Sequence, residues 1–164
     1  MHREKLIVLA IAMILTIGPV VTKTAEAGEK VSAHATSVTT ESKQFEVGDE
    51  EGHVLILYQA SQIWIDDKTG EKSVGVSSGT IDMRFKTGQG LFRGYNVRTF
   101  PNGDKFFSKY EGKPVAKGHA KGTITYLGGT GKFEGLSGSG TWESRSMAPG
   151  VAYMTSGGVR EYGQ

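Results

Sequence analysis

Residues 122–143 constrain the fold of this chain more than any other segment. They read GTITYLGGTGKFEGLSGSGTWE, which is two runs of β-forming residues joined by a glycine-rich turn. Glycine accepts the positive φ angles of tight turns because it has no Cβ atom. Gly135, Gly138 and Gly140 lie within the second run, where glycine normally weakens a strand, and this placement indicates bulges or the coiling of a closed barrel. The segment predicts a small β-barrel, and it contains no catalytic group.

Short β-forming runs separated by turn residues continue along the rest of the chain. This pattern is typical of an antiparallel barrel or sandwich, and no segment after residue 28 has a convincing helical period. We predict an all-β fold, a closed antiparallel barrel of about eight strands. The expected strands cover residues 42–47, 53–66, 74–85, 91–100, 105–111, 117–127, 132–143 and 151–161, with a Gly-Lys-Pro loop at 112–114.

The strand expected at 53–66 is apolar on both alternating faces in its first half. Leu55 and Leu57 lie on one face, and Val54, Ile56 and Tyr58 lie on the other. A strand of this kind is covered on both sides. In a barrel, one side is the interior and the other meets a helix, a ligand or a partner subunit. We therefore expect a homo-oligomer, a trimer or a dimer.

The amino terminus has the pattern of a secretory signal peptide. A basic start is followed by an apolar stretch from Leu6 to Val21 and by the small-x-small sequence Ala25-Glu26-Ala27. A retained membrane anchor is the alternative, but the apolar run is shorter than the roughly 20 residues that a spanning helix needs, and Pro19 interrupts it.

These signals divide the chain into a signal peptide at 1–27, a flexible leader at 28–44 and a β-barrel domain at 45–164. The leader is assigned because its residues are rich in Ser, Thr and Ala with little apolar period. The protein is expected to be exported to the bacterial periplasm or the cell exterior, with no stable membrane insertion after cleavage.

Composition excludes several classes of function. The chain has no cysteine, so disulfides, thiol catalysis and thiolate metal sites are excluded. No basic run resembles a surface that follows a phosphate backbone, so nucleic acid is not an expected partner. The histidines after residue 28 are not spaced to chelate a metal, and we expect neither a metal nor a cofactor.

Three segments carry a family resemblance: Asp49–Leu55, Gly94–Asp104 and Gly128–Gly138. They resemble small bacterial proteins of the allene oxide cyclase barrel type, and plant dirigent proteins have a similar glycine–threonine–glycine–x–phenylalanine hairpin. The resemblance covers the chain from about Asp49 to Glu143. It implies an eight-stranded antiparallel barrel with a central apolar cavity, often assembled as a trimer in the plant relatives. No catalytic residue of a cyclase can be carried over to this chain.

Candidate ligand-binding residues follow from the expected barrel. His53 opens the doubly apolar strand beside Asp49, and such a histidine would lie at a barrel mouth, held by a carboxylate. Aromatic side chains fill most barrel cores, but a small barrel with an unfilled interior can hold one ligand. The candidates for ligand contact are His53, Tyr58, Trp64, Arg84, Tyr95, Tyr126 and Trp142.

Several charged residues allow two interpretations. Alternation assigns Asp82, Arg84, Arg93 and Arg98 to a solvated outer face. If barrel closure turned that face inward, the same residues would form a polar cavity floor for a ligand with a carboxylate.

Three functions are compatible with these features. The favoured one is an exported barrel that binds a small apolar or amphipathic molecule without catalysing a reaction. The second is a protein similar to allene oxide cyclases or dirigent proteins, which steers the cyclisation or coupling of a reactive lipid or phenolic. The third is a structural barrel that forms a homo-oligomer. Fold analogy alone does not decide among them.

Overall fold

Eight antiparallel strands close into a single barrel in chain order. The structure, a computed structural model, describes residues 28–163, so the predicted signal peptide lies outside it. The strands are β1 (Glu29–Glu46), β2 (His53–Asp66), β3 (Lys72–Arg84), β4 (Gln89–Thr99), β5 (Lys105–Ala116), β6 (His119–Gly129), β7 (Leu136–Ala148) and β8 (Val151–Tyr162). The barrel closes because β8 pairs with β1 as well as with β7. The predicted all-β closed barrel is confirmed.

The prediction of a flexible leader at 28–44 is wrong, because β1 occupies Glu29–Glu46. This strand pairs with β2 along one edge and with β8 along the other, so its backbone groups are satisfied on both sides. Its inward residues are small, as at Ala33 and Ala35, because Trp64 and Met154 fill the space beside them. A strand of small residues shows no clear alternation of large apolar and polar side chains, so the sequence pattern does not reveal it. Its pairing with the neighbouring strands orders it.

Two further boundaries differ from the prediction. The expected loop at 112–114 belongs to β5, and the only irregularity there is a register shift between Pro114 and Ala116. Proline is tolerated at such a bulge near a strand end. The strand expected from residue 132 begins only at Leu136, because Gly131–Phe133 form a short 3₁₀ turn. That turn directs Phe133 into the barrel, where its side chain is fully buried.

The turn containing Phe133 covers one end of the barrel, which we call the Phe133 end. Phe133 packs there in an apolar cluster, with its ring centroid 4.7 Å from that of Phe100 and 5.6 Å from that of Phe106. The turns after β2, β4 and β6 lie at this end. The turns after β1, β3, β5 and β7 lie at the opposite end, which we call the His53 end. Across residues 28–163 the structure has no helix long and apolar enough to cross a bilayer.

Alternation along β2 decides which side chains face the barrel interior. Val54, Ile56 and Tyr58 point inward, whereas Leu55 and Leu57 point outward. Val54 is fully buried, but Leu57 is 45% exposed. The apolar outer face predicted for this strand is therefore present on the surface of the single chain.

Candidate functional site inside the barrel

A cavity of about 450 Å³ runs along the barrel interior and is lined by inward residues of all eight strands. Eight-stranded barrels are just wide enough to be filled by side chains or to hold one small ligand. Glycines on the inner face create space for large aromatic rings. A Cβ atom at Gly94 would collide with the Tyr110 hydroxyl, and one at Gly122 would collide with the Trp142 indole. Rings from one wall can thus lie across the interior without filling it.

The middle of the cavity contains buried polar side chains connected by hydrogen bonds. The Gln62 side-chain oxygen accepts hydrogen bonds from Trp64 Nε1, at 2.9 Å, and from the Asn96 amide. Burial makes these hydrogen bonds strong and any loss of them costly. The network therefore holds the Trp64 indole in one orientation.

A second polar group lies beside this network. The Tyr58 and Tyr110 hydroxyl oxygens are 2.5 Å apart, and Ser77 Oγ is 2.9 Å from the Tyr110 oxygen. Burial raises the pKa of Tyr58 and of Tyr110 above the usual tyrosine value. Both phenols are therefore neutral at physiological pH. They can donate or accept hydrogen bonds to a ligand hydroxyl or carbonyl, but they cannot act as bases there.

Arg98 supplies a positive charge near the Phe133 end of the cavity. Its Nε donates a hydrogen bond to Ser73 Oγ at 3.0 Å, and its guanidinium carbon lies 4.9 Å from the Trp64 ring centroid. Burial lowers the pKa of Arg98 to about 10, so it remains charged at neutral pH. Arg160 also lines this part of the cavity, with Nη2 3.8 Å from Asp66 Oδ2.

The acidic groups that line the cavity are already engaged. Asp66 Oδ1 accepts hydrogen bonds from the backbone of Lys68 and Thr69. Burial raises the pKa of Asp66, but the hydrogen bonds from Thr69 and Lys68 outweigh burial and the pKa is lowered. The Glu71 carboxylate lies 2.7 Å from Lys132 Nζ. Within residues 28–163, the lining includes no histidine, and no nucleophile is paired there with a general base.

The structure separates the predicted ligand-binding residues into two groups. Tyr58, Trp64, Tyr126 and Trp142 line the cavity. The other three candidates, His53, Arg84 and Tyr95, do not. Tyr95 is 62% exposed on the outer face of β4, and Arg84 forms an ion pair with Glu50 at 2.6 Å.

His53 is held by carboxylates at the barrel end that bears its name, as the sequence predicted. Its Nδ1 lies 2.6 Å from Asp49 Oδ1 and its Nε2 lies 3.0 Å from Asp82 Oδ1. The hydrogen bond to Asp49 raises the pKa of His53. Two carboxylate partners favour the doubly protonated ring, because each ring nitrogen then donates. One ligand atom each from Asp49, Glu50 and His53 lies within 4.8 Å of the others, so a metal ion bound here would compete with the proton for the ring.

Sequence reasoning missed Gln62 and Tyr110, and for Asp82, Arg84, Arg93 and Arg98 it favoured a solvated outer face over an inward cavity floor. Of these four residues, only Arg98 lines the cavity. Arg98 instead points inward, on the same side of β4 as Phe92 and Asn96. Phe92 and Phe100 lie an even number of residues from Arg98 and therefore on the same face of the strand. Their apolar side chains could have indicated that this face points inward. The signal was ambiguous, because the residues of opposite parity include Leu91, Tyr95 and Val97.

Comparison with known proteins supports the fold. No protein family model matches the chain, and no curated protein matches it. The structure is similar to that of the pterocarpan synthase dirigent protein GePTS1, with a TM-score of 0.51 and 10% sequence identity over 86% of this chain and 90% of that one. It is also similar to the pterocarpan synthase dirigent protein PsPTS1, with a TM-score of 0.50 and 10% identity over 86% of this chain and 99% of that one. The chain therefore has a dirigent-like barrel, as its glycine-rich hairpin predicted, and the resemblance to allene oxide cyclase barrels stays a prediction.

Proposed function

We propose that the barrel binds a small amphipathic molecule in its central cavity and holds it without covalent chemistry. The observation that carries this proposal is the arrangement of the cavity wall. Gln62, Tyr110 and Arg98 present polar groups at different places in a wall that is otherwise rich in apolar side chains. A volume of about 450 Å³ lies within the range of small-molecule sites, where a few polar groups orient a mainly apolar ligand.

A neutral fluorescent probe tests this proposal directly. Nile red fluoresces more strongly in an apolar environment, and we expect its fluorescence to rise and saturate when the protein is added. Ile124→Trp on β6 should abolish this response, because Ile124 lines the cavity and the larger indole side chain would fill the space. The matched control is Thr125→Trp, since the adjacent side chain is exposed on the outer face.

The two tryptophan variants make the result interpretable. Each should keep the wild-type circular dichroism spectrum, and the thermal melting of each reports any cost of overpacking. Equal Nile red binding by wild type and Ile124→Trp would place the dye outside the cavity. That result, or the absence of any binding by wild type, would contradict the proposal. Native mass spectrometry of protein purified from the cells that make it would then identify a retained ligand by its added mass.

A second function is favoured by the likeness to two pterocarpan synthase dirigent proteins. In this function, the cavity orients reactive phenolic molecules while they couple or cyclise. The aromatic walls at Phe92 and Trp142 and the neutral Tyr58 and Tyr110 hydroxyls suit a phenol ring and its hydroxyl. In coupling, an external oxidant removes one electron and one proton from each of two phenols, and the two radicals form one new bond. The barrel supplies geometry and no electrons.

The stereochemistry of the product tests this second function. Coniferyl alcohol is oxidised by laccase with and without the protein, and the dimers are separated by chiral chromatography. An excess of one enantiomer with wild type that disappears with Ile124→Trp would support steering inside the cavity. Racemic products with wild-type protein would contradict this second function and leave the binding proposal intact.

A further inference from the structure

Arg98 differs from the other cations around the Phe133 end of the cavity because it lacks a carboxylate partner. Arg160 lies near Asp66, and Lys132 pairs with Glu71 at 2.7 Å. Among residues 28–163, no carboxylate forms an ion pair with Arg98, and its single hydrogen bond leads from Nε to the neutral Ser73 hydroxyl. The two terminal nitrogens of its guanidinium are thus available to a cavity ligand.

The surroundings of this guanidinium make its charge costly. Its carbon lies 4.9, 5.5 and 5.9 Å from the ring centroids of Trp64, Phe100 and Phe106. Aromatic faces give a cation some compensation, but they do not replace the hydrogen bonds that its N–H groups make in water. A half-buried charge of this kind is stabilised most by an anion that approaches the unoccupied edge of the guanidinium.

Two further groups make the same region suitable for an anion. Burial and, after it, the charge of Arg160 lower the pKa of Arg98, while the nearby carboxylates of Asp66 and Glu71 act in the opposite direction. The Tyr126 hydroxyl makes no hydrogen bond with the described residues, and burial keeps its pKa raised despite the opposing effects of Arg160 and Arg98. A neutral phenol of this kind is a hydrogen-bond donor. The cavity lining contains two cations, Arg98 and Arg160, and two carboxylates, Asp66 and Glu71. Backbone N–H groups of the following turn engage Asp66, and Lys132 pairs with Glu71, so Arg98 is left without an ion pair within residues 28–163.

We propose that this region is an anion site, in which Arg98, assisted by Arg160 and Tyr126, binds the carboxylate of a small monocarboxylic acid. The apolar body of the acid lies toward the His53 end, against side chains such as Ile81, Phe92 and Trp142. This inference rests on the proposed binding function and specifies the chemical class of its ligand. A planar carboxylate suits the site, because guanidinium groups bind it through two parallel hydrogen bonds.

A matched pair of probes tests the inference. Cinnamate and cinnamyl alcohol share a carbon skeleton and differ in the charge of the terminal group, and each is titrated against the purified protein by calorimetry. We expect wild type to bind cinnamate at least about tenfold more tightly than the alcohol, as a charge-assisted hydrogen bond provides. In Arg98→Gln the two affinities should become similar. Arg93→Gln should keep the wild-type preference, because Arg93 lies on the outer face and pairs with Glu111.

The outcomes distinguish a failure of the anion site from a failure of the proposed ligand binding in the cavity. Equal binding of acid and alcohol by wild type would overturn the anion site and leave the cavity-binding function standing. A preference for cinnamate that survives in folded Arg98→Gln would overturn the assignment to Arg98. If wild type binds neither probe nor Nile red, both proposals fail. Should Arg98→Gln not fold, Tyr126→Phe provides the second test, because it should weaken cinnamate binding and leave the alcohol unaffected; equal effects on both probes would count against the site.

Discussion

The hydroxyl oxygens of Tyr58 and Tyr110 lie 2.5 Å apart inside the barrel, although β3 and β4 separate their strands in the sheet. The pair therefore spans the interior and joins two walls that share no backbone hydrogen bonds. Ser77 on β3 extends this contact through the Tyr110 oxygen. Together they form a half-buried polar bridge across the interior.

This bridge predicts unequal effects of two similar substitutions. Tyr110→Phe should destabilise the protein by about 1–2 kcal/mol, because it removes the common partner of the half-buried Tyr58 hydroxyl and the buried Ser77 hydroxyl. Tyr58→Phe should cost less, since Tyr110 keeps its hydrogen bond with Ser77. Urea unfolding followed by circular dichroism measures both values. A larger cost for Tyr58→Phe would show that the bridge is not centred on Tyr110.

The His53 end predicts a dependence of stability on pH. Hydrogen bonding to Asp49 raises the pKa of His53 in the folded protein above the usual histidine value of about 6.5, so protonation of this histidine favours folding. Its contribution is fully present below the unfolded pKa and is lost as pH rises through the folded pKa. The same contact lowers the pKa of Asp49, so the contribution of that carboxylate is lost on acidification. His53→Gln should therefore destabilise most at about pH 5.5 and least at about pH 9.

Thermal melting of wild type and His53→Gln across this pH range gives the comparison. His34→Gln is the matched control, because His34 also contacts a carboxylate, at Asp67, but its side chain is 38% exposed. A difference between wild type and His53→Gln that is constant with pH would contradict the protonated state of His53.

Gly131 combines a left-handed backbone with a crowded site. Its φ angle is +56°, and a Cβ atom would collide with the Asp104 carboxylate, which accepts a hydrogen bond from the Lys132 backbone. Gly131→Val should therefore destabilise by about 1 kcal/mol or more. Gly70→Val is the control, since Gly70 has a φ of +71° and no neighbour within 4 Å of the Cβ position. We expect a smaller loss there. Wild-type stability of Gly131→Val would refute the assigned turn.

The apolar outer face of β2 motivates a prediction about assembly. We propose that a second copy of the chain covers this face, because contiguous exposed apolar surface is uncommon on soluble monomers. Leu57→Asp should reduce the size of the assembly in sedimentation velocity and keep the β-sheet signal. Ile56→Asp should unfold the domain, since Ile56 faces the interior. Monomeric wild-type protein would contradict the proposed assembly.

The proposed export of the protein predicts where the mature chain begins. Ala25-Glu26-Ala27 suits a signal peptidase, and β1 begins at Glu29, so cleavage after Ala27 would leave that strand whole. Amino-terminal sequencing of the protein collected from outside the producing cytoplasm should start at or near Gly28. A sequence starting at Met1 would refute the cleavage.

The sequence alone was sufficient to predict the strands that are marked by local patterns, namely alternating side chains and turn residues. The boundaries predicted at 53–66 agree with β2, and the positive φ of Gly131 follows from its glycine-rich turn. His53 was placed at a barrel end beside carboxylates because Asp49 is close in the chain. Alternation and turn chemistry act between residues that are near one another in sequence, so they can be recognised without knowledge of the whole fold.

The tertiary structure decided which side chains share the cavity. Arg98 lies on a strand whose two faces are both mixed in polarity, so only the register and closure of the barrel place it inward beside Trp64. Tyr58 and Tyr110 meet because closure brings β2 and β5 to face each other across the interior. β1 has little apolar period and is ordered by its partners β2 and β8. These contacts join residues that are distant in sequence, and their formation depends on the number, register and tilt of all eight strands.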